Sequence, residues 1–477
     1  MLMTAIAMVA VASLAGCSAN ADLDTNTPGS NEQEETNVPV SFNSYLAQSK
    51  TTRAGEATRA SEMTTDELQK TGFGVVAYYT GNGQYTAGQT STEPNFMYNT
   101  QVSGADWTYS PTVYWPNRGS DAGATPGEAA AYVSFFAYAP YKEVTPSTGT
   151  PKTTATTGIT GISANGTKGD PTVSYTLGAT GADADLLWGT AGSNGTTTNG
   201  NAQNGTDFNG AAKAKVNANL SKMNVGGKVK FNFKHALAKF GGTGAGTDNK
   251  TSGLMIVADI DNGSATTGGT LDGSTKITVK SIKIESVKAV DDGKMTTEAS
   301  IPTSGTLNLA TGVWTTNNNG KIDYEINSPS AAATEGATTQ TMNESIAEPK
   351  TFESWDKLPA GVSTTAQSVY TESTPLLLIP DGNDHTLRIS IDYIVRTKNA
   401  SLSKGYTEVE QSFYKDLTLS KVGMNAKYNL LIHLGLTSVK FDATVSDWTN
   451  TTAGGSTSST TSDTDPMVIY MPQNVAN

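Results

Sequence analysis

The chain has 477 residues, of which 16% are charged and 36% are hydrophobic, and it contains 48 glycines. This length exceeds the needs of one β-sandwich and favours two domains of about 170 to 250 residues with additional tails. The formal net charge of -12 repels phosphate backbones and anionic lipid surfaces, which argues against nucleic-acid binding. No segment approaches the roughly 20 apolar residues of a membrane-spanning helix.

A short apolar segment, residues 5–15, precedes the only cysteine of the chain. It has the length of the hydrophobic region of a signal peptide. It ends in the sequence Leu-Ala-Gly before Cys17, where small residues admit a peptidase and the thiol can accept a lipid. A single cysteine has no disulfide partner. We therefore predict that residues 1–17 are a lipoprotein signal peptide with lipidation at Cys17, a chance cysteine being the alternative.

Residues 18–59 are predicted to be a polar tether and a propeptide that contains the first strand. In this strand, Val38, Val40 and Phe42 alternate with polar neighbours, as expected for a strand with one buried face.

A polar linker follows the first strand and carries two arginines, Arg53 and Arg59, each followed by alanine. Exposed polar linkers are preferred sites of proteolysis. We predict processing after Arg59 or after Arg53.

Short apolar runs separated by Gly, Asn and Pro predict an N-terminal β-sandwich over residues 60–227. The predicted strands are residues 73–79, 96–102, 107–115, 132–138, 173–177 and 186–188.

A second dense set of strand patterns predicts a C-terminal β-sandwich over residues 228–448. The predicted strands are residues 229–233, 235–240, 254–260, 277–287, 376–379, 387–395, 428–436 and 439–448. No amphipathic helix long enough to compete is evident, so the predicted fold class is all-β.

Residues 449–477 are predicted to be a flexible Thr/Ser/Gly linker and a C-terminal strand. The residues of this strand are Met467, Val468, Ile469, Tyr470 and Met471. An apolar strand on a flexible linker needs a groove to lie in, either in its own domain or in a neighbouring molecule.

The three histidines, His235, His385 and His433, have no neighbours at a spacing typical of a metal site or of nucleophilic catalysis. We interpret them as structural. A calcium-like loop begins at Asp259, but its twelfth position is Thr270, which cannot supply the closing carboxylate.

Ser401 and Lys404 match the Ser-x-x-Lys of penicillin-recognising enzymes, but no partner motif accompanies them. We predict no catalytic residues, no metal and no cofactor. A glycosidase built on two carboxylates stays open, because their separation cannot be read from the sequence. Aromatic residues in the first predicted sandwich favour either a core or a sugar-stacking surface. They are Tyr78, Tyr79, Trp107, Tyr109, Tyr114 and Trp115.

The order of several motifs along most of the chain resembles the fimbrillin family of Bacteroidetes. The motifs are the Leu-Ala-Gly-Cys that ends at Cys17, the first strand followed by Thr-Arg-Ala at Arg53 and Arg59, Trp115-Pro116, the Phe-Phe-Ala-Tyr-Ala-Pro of residues 135–140, the Phe-Lys-His-Ala-Leu-Ala-Lys of residues 233–239 and the Val-Ser-Asp-Trp of residues 445–448.

This resemblance implies two transthyretin-like β-sandwich domains in series with a C-terminal donor strand. In family members that polymerise, a lipoprotein precursor reaches the outer membrane and a trypsin-like protease cuts after an arginine. Removal of the first strand then opens a groove, and a strand from the next subunit fills it. Loss of the first strand would also expose apolar core and unpaired backbone groups, and another strand can cover both.

The resemblance implies a structural subunit, in the stalk of a cell-surface fimbria, that supports adhesion. Its expected partners are other copies of the subunit, the processing protease and the outer membrane through the lipid of the precursor; the receptor is not indicated. An anchor or tip subunit and a glycan-binding outer-membrane lipoprotein are the alternatives. A strand that completes its own domain is likewise an alternative to donation.

Overall fold

The computed structural model describes residues 38–46, 65–81, 83–88, 93–116, 132–144, 155–163, 168–178, 185–191, 193–194, 197–198, 216–220, 227–240, 254–258, 273–289, 295–296, 301–326, 352–365, 367–368, 376–436, 439–447 and 467–470.

The first half of the chain contributes eleven strands and one short helix to the described structure. They are β1 (Ser41–Leu46), α1 (Thr65–Thr71), β2 (Phe73–Gly81), β3 (Met97–Val102), β4 (Tyr132–Ala139), β5 (Gly158–Ile162), β6 (Thr172–Thr176), β7 (Leu187–Ala191), β8 (Ser193–Asn194), β9 (Thr197–Thr198), β10 (Asn217–Leu220) and β11 (Lys228–His235).

The remaining elements are again strands, with one 3-10 helix at Trp355–Lys357. The strands are β12 (Ala238–Phe240), β13 (Leu254–Ala258), β14 (Thr275–Ala289), β15 (Met295–Thr296), β16 (Ile301–Asn308), β17 (Trp314–Gly320), β18 (Asp323–Ile326), β19 (Gln367–Ser368), β20 (Leu376–Leu378), β21 (His385–Lys398), β22 (Tyr406–Leu419), β23 (Ala426–Leu434), β24 (Val439–Asp447) and β25 (Met467–Tyr470). The all-β fold class predicted from the sequence is confirmed.

The first sandwich is built from a sheet of order β1-β11-β7-β4-β2-β3, with β10 beside β4, and a second sheet of order β17-β16-β6-β5. One face of the larger sheet packs on the smaller sheet through a buried cluster that includes Phe136, Tyr175 and Leu307. Its other face forms a separate aromatic cluster, which Leu68 of α1 and the segment of residues 96–115 help to cover. Apolar side chains therefore lie on both faces of this sheet.

The second sandwich packs a sheet containing β13, β23, β12 and β20 on a sheet of order β15-β14-β21-β22, with β18 beside β14. β24 follows β23, and β25 follows β24 at the edge. A single large apolar cluster, with members such as Ile282, Ile391 and Ile432, fills the space between the two sheets. The alternating burial of β21 and β11 shows why these sequences form half-buried strands.

The observed pairings cross the predicted domain boundary at residue 227. β11, at the start of the predicted C-terminal domain, lies in the first sandwich between β1 and β7. β16 returns from the second half of the chain and pairs with β6 of the first sandwich. The first sandwich thus takes strands from both halves of the chain, whereas the sheets of the second sandwich contain only strands that follow β11. The division into domains stays a prediction.

Several local expectations need correction. Residues 107–115 do not form one strand, because Trp107 ends a turn with a positive φ of 51° and only single bridges at Thr108 and Tyr114 follow. Residues 235–240 are divided at Ala236 and Leu237 between β11 and β12. One helix and ten strands were not predicted from the sequence: α1, β5, β8, β9, β10, β15, β16, β17, β18, β19 and β22.

Candidate functional site at the first and last strands

The first strand lies between two different neighbours. Its beginning pairs antiparallel with residues 113–115, where the Val40 N–H donates to Val113 O at 2.9 Å and the Trp115 N–H donates to Val38 O at 2.9 Å. Its continuation, β1, pairs in parallel with β11, so that Phe42 lies opposite Val229. Removing residues 38–46 would therefore leave backbone groups unpaired on both sides.

Three alternate side chains of this segment point into the core. Val40 is 2% exposed, Phe42 is 3% exposed and Ser44 is 7% exposed, whereas the intervening Ser41 and Asn43 are half-buried. The alternation predicted for Val38, Val40 and Phe42 is thus seen as buried side chains at Val40 and Phe42, with Val38 partly buried against the same cluster. Full burial of an apolar side chain contributes on the order of 1.5 to 3 kcal/mol.

The ring of Phe42 occupies a pocket made of aromatic side chains. Its centroid lies 5.3 Å from that of Tyr109, 6.0 Å from Phe135, 6.2 Å from Phe231 and 6.3 Å from Phe73. Three of these contacts are edge-to-face and one is stacked, and both geometries are favourable for aromatic pairs. Among Val40, Phe42 and Ser44, the buried residues described in this segment, Phe42 has the largest side chain.

Hydrogen bonds to backbone carbonyls hold the neighbouring segments against the first strand. The Tyr109 hydroxyl lies 2.8 Å from Val40 O and 3.1 Å from Val113 O, and burial raises the pKa of this hydroxyl, which keeps it protonated as a donor. Gly227 O accepts from the Trp115 indole at 2.9 Å and from the Ser41 N–H at 3.2 Å. Gly227 has a φ of +73°, a conformation that favours glycine.

The Ser44 hydroxyl is an unfavourable buried polar group in this segment. Its Oγ is buried and has no hydrogen-bond partner within the described part of the chain. A buried polar group without a partner costs about 1 to 3 kcal/mol. The first strand therefore fills its third inward position poorly, in contrast to the positions of Val40 and Phe42.

The C-terminal strand lies on the edge of the second sandwich of its own chain. β25 pairs antiparallel with β24, with Ile469 opposite Phe441 and Met467 opposite Ala443. This pairing in a single chain matches the alternative in which the strand completes its own domain. Donation to another subunit stays a prediction, and Met471 lies outside the described residues.

Two of the histidines form buried or partly buried pairs with aspartates. His235 Nδ1 lies 2.6 Å from Asp185 Oδ2, and both side chains are buried where β11 leaves the first sandwich. His385 Nε2 lies 2.8 Å from Asp381 Oδ1. For Asp381, burial raises the pKa but hydrogen bonds from His385 and Asn383 outweigh it, so the net shift is downward. These pairs lie in separate sandwiches and do not converge on one site.

The junction between the sandwiches is fixed just after His235. The Trp314 indole donates to Ala236 O at 2.8 Å, and the Asn425 N–H donates to Leu237 O at 3.0 Å. Lys239 follows within β12, opposite Lys427, and burial together with the charge of Lys427 lowers the pKa of Lys239 well below its ordinary value. This polar cluster was not predicted, because a lysine within an alternating strand is normally assigned to the solvent side.

The remaining predicted residues do not assemble into a reactive site. Cys17, Arg53 and Arg59 lie outside the described residues, as does the calcium-like loop. Ser401 and Lys404 are exposed in the connection between β21 and β22.

Among the ranges given above, no group of three or more His, Cys, Asp or Glu side chains is placed to hold a metal ion. In the same ranges, no helix combines the length and the apolar character needed to cross a membrane.

These features define a two-sandwich, all-β protein whose described first and last strands both lie at sheet edges. A fimbrial protein from Bacteroides vulgatus has a similar structure, with a TM-score of 0.53 and 16% sequence identity, over 86% of this chain and 99% of that one. A candidate cell adhesion protein from Bacteroides uniformis matches with a TM-score of 0.36 and 14% identity, over 87% of this chain and 100% of that one. Another from Bacteroides ovatus has a TM-score of 0.31 and 11% identity, over 86% and 97%.

No family model matches the sequence, and no curated relative matches it. The structure neighbours are thus fimbrial and candidate cell adhesion proteins of Bacteroides, at low sequence identity. The resemblance to fimbrillins that the sequence motifs indicate is confirmed at the level of the fold.

Proposed function

We propose that this chain is a structural subunit of cell-surface fimbriae that supports adhesion. In this proposal the chain is exported as a lipoprotein precursor modified at Cys17 and is cut by a trypsin-like protease after Arg59 or Arg53. It then polymerises by strand exchange as a stalk subunit. The resemblance of its fold to a Bacteroides fimbrial protein supports the general role.

The observation that carries this proposal is the buried first strand upstream of both arginines. Cleavage after Arg53 or Arg59 would separate residues 38–46 from the sandwich that they complete. The loss would uncover the Phe42 pocket, whose walls include Phe73, Phe135 and Phe231. Covering the exposed apolar surface of such a groove is favourable. A strand from another subunit can supply both the apolar side chains and the backbone hydrogen-bonding groups.

The C-terminal segment is proposed as the strand that fills the groove. The linker that precedes it, residues 449–465, is rich in Thr, Ser and Gly and gives the segment the reach to leave the edge of β24. Among the described strands of the single chain, this segment pairs with β24 alone, at the edge of the second sandwich. Donation would move it to the place of the first strand, which pairs with both β11 and residues 113–115.

A glycan-binding surface protein has less support. Of the aromatic residues that suggested stacking on sugars, Tyr78, Trp107 and Trp115 are buried in the core. Tyr114 is 50% exposed, but it is a single ring beside the first strand.

Truncation after Asp465 tests the donor role. The truncated subunit keeps its groove but lacks the donor strand, so we expect no polymer from it alone. When it is expressed together with the parent chain, it should accept a donor and shorten the polymers. A matched truncation after Met471 keeps the strand and should polymerise normally.

Polymers of the parent length from the chain truncated after Asp465 would contradict the proposal. A truncated chain that unfolds and leaves the parent polymers unchanged would instead favour a strand that only completes its own domain. Melting curves of the monomer, measured beside the polymer ladders, separate these two results.

A further inference from the structure

The inward positions of the first strand define what an incoming strand must supply. They are spaced two residues apart, at Val40, Phe42 and Ser44, and Pro39 precedes them directly. The C-terminal segment has the same layout, with Pro466 followed by apolar residues at Met467, Ile469 and Met471.

We propose that the C-terminal strand of one subunit enters the groove of the next in the direction of the first strand. Met467, Ile469 and Met471 then take the places of Val40, Phe42 and Ser44. This inference rests on the proposed function and adds to it the register, the inward face and a reason for exchange.

The prolines support this register. Pro39 forms a single bridge with Tyr114, and the hydrogen bonds at this point are made by Val38 O and by the Val40 N–H. Proline has no backbone N–H and is confined to strand edges, strand beginnings and bulges. Pro466 placed at the position of Pro39 therefore loses no hydrogen bond that the first strand makes.

The third position supplies the reason for exchange. The Ser44 hydroxyl is buried without a partner in the ranges that the structure describes. Met471 brings a flexible apolar side chain to this position and removes the unpaired hydroxyl. The incoming strand thus suits the groove better than the strand that it replaces.

The alternative register, shifted by one residue, is less favourable. A shift by one residue turns the opposite face of a strand inward. Val468, Tyr470 and Pro472 would then enter the core, and Met467, Ile469 and Met471 would lie on the half-exposed face now formed by Ser41 and Asn43. That arrangement exposes three large apolar residues and buries a phenol among aromatic rings, where its hydroxyl needs a new partner.

Engineered disulfides between subunits test the register directly. Phe42 lies opposite Val229 on β11, so the proposal places Ile469 of the incoming strand opposite Val229. Neighbouring strands bring Cα atoms within the range that a disulfide spans. The acceptor chain carries Val229→Cys. The donor chain carries either Ile469→Cys or Tyr470→Cys.

The donor and acceptor chains are expressed together, at full length, in cells that process and export the native chain. Cleavage after either arginine removes Cys17, so the engineered thiols are the ones that remain. We expect a several-fold excess of cross-linked dimer with Ile469→Cys over Tyr470→Cys.

The reverse ratio would overturn the proposed register while leaving strand exchange intact. A chain that carries both Ile469→Cys and Phe441→Cys detects the C-terminal strand when it is paired with β24 of the same chain, where these residues lie opposite each other. Polymers that contain this internal cross-link and no cross-link between subunits would refute both the register and the donor role.

A second measurement addresses the unpaired hydroxyl. Ser44→Ala should raise the melting temperature of the uncleaved precursor by a few degrees and leave the melting temperature of the assembled polymer unchanged. Asn43→Ala, on the half-exposed face, is the matched control. A lower melting temperature for the Ser44→Ala precursor would show that the hydroxyl is satisfied and would remove the stated reason for exchange.

Discussion

A substitution at Phe42 should lower the stability of the precursor but not the stability of the assembled subunit. In the precursor its ring is 3% exposed and lies within 6.3 Å of four aromatic rings. Truncation of a buried phenylalanine to alanine costs about 3 to 5 kcal/mol. For a domain of 150 to 250 residues, this loss lowers the melting temperature by about 6 to 20 °C.

The same substitution should not affect the polymer, because cleavage removes Phe42 with the first strand. Thermal unfolding of the uncleaved precursor and of purified polymer, each with and without Phe42→Ala, measures this difference. Phe231→Ala is the matched control, because Phe231 is a buried wall of the same pocket and stays with the subunit. It should destabilise both forms. A loss of equal size in both forms for Phe42→Ala would refute the removal of the first strand.

The remaining predictions concern processing and a buried charge. Cys17→Ser should abolish labelling of the precursor with a radioactive fatty acid, and unchanged labelling would disprove lipidation at this residue. The double variant Arg53→Ala, Arg59→Ala should accumulate on the cell as a precursor that forms no polymer; recovery of polymers with the normal N-terminus would exclude cleavage at these sites. Burial lowers the pKa of Lys239, so the unfolded chain binds more protons and stability rises with pH up to about 10. Lys239→Met should be more stable than the parent at pH 7 in urea unfolding, with an advantage that shrinks towards pH 10; a difference independent of pH would argue against the lowered pKa of Lys239.

The first strand could be predicted because only one of its faces is fully buried. Val40 and Phe42 face the core and Ser41 faces outward, so the sequence alternates. The long strand β22 gave no such pattern, because only three of its 14 side chains are buried and the strand lies at the edge of its sheet. Helix α1 has 7 residues, too few for a clear helical period.

The pairing partners could not be derived from local patterns. β16 and β17 lie in the second half of the chain, but β16 extends the sheet of β6 in the first sandwich. β12 and β13 both pair with β23 on the same side, because they align with consecutive parts of its length. Such arrangements depend on tertiary contacts, not on the spacing of apolar residues along one strand.

The candidate site was predicted in part. Its apolar residues were identified by their alternation, whereas the unpaired hydroxyl of Ser44 depends on what surrounds that atom. Similarly, the partner of His235 is Asp185, 50 residues earlier in the chain, and no local spacing indicates this pair. The identity of the C-terminal strand was evident from its composition, but its neighbour was not.

The N-terminal sequence of the chain recovered from assembled polymer decides whether the first strand is removed before assembly. We expect the polymerised subunit to begin at Ala60 or at Ala54, so that Val40, Phe42 and the rest of the first strand are missing. A polymer whose subunits begin before Val38 would contradict it, because the groove would then still hold its own first strand.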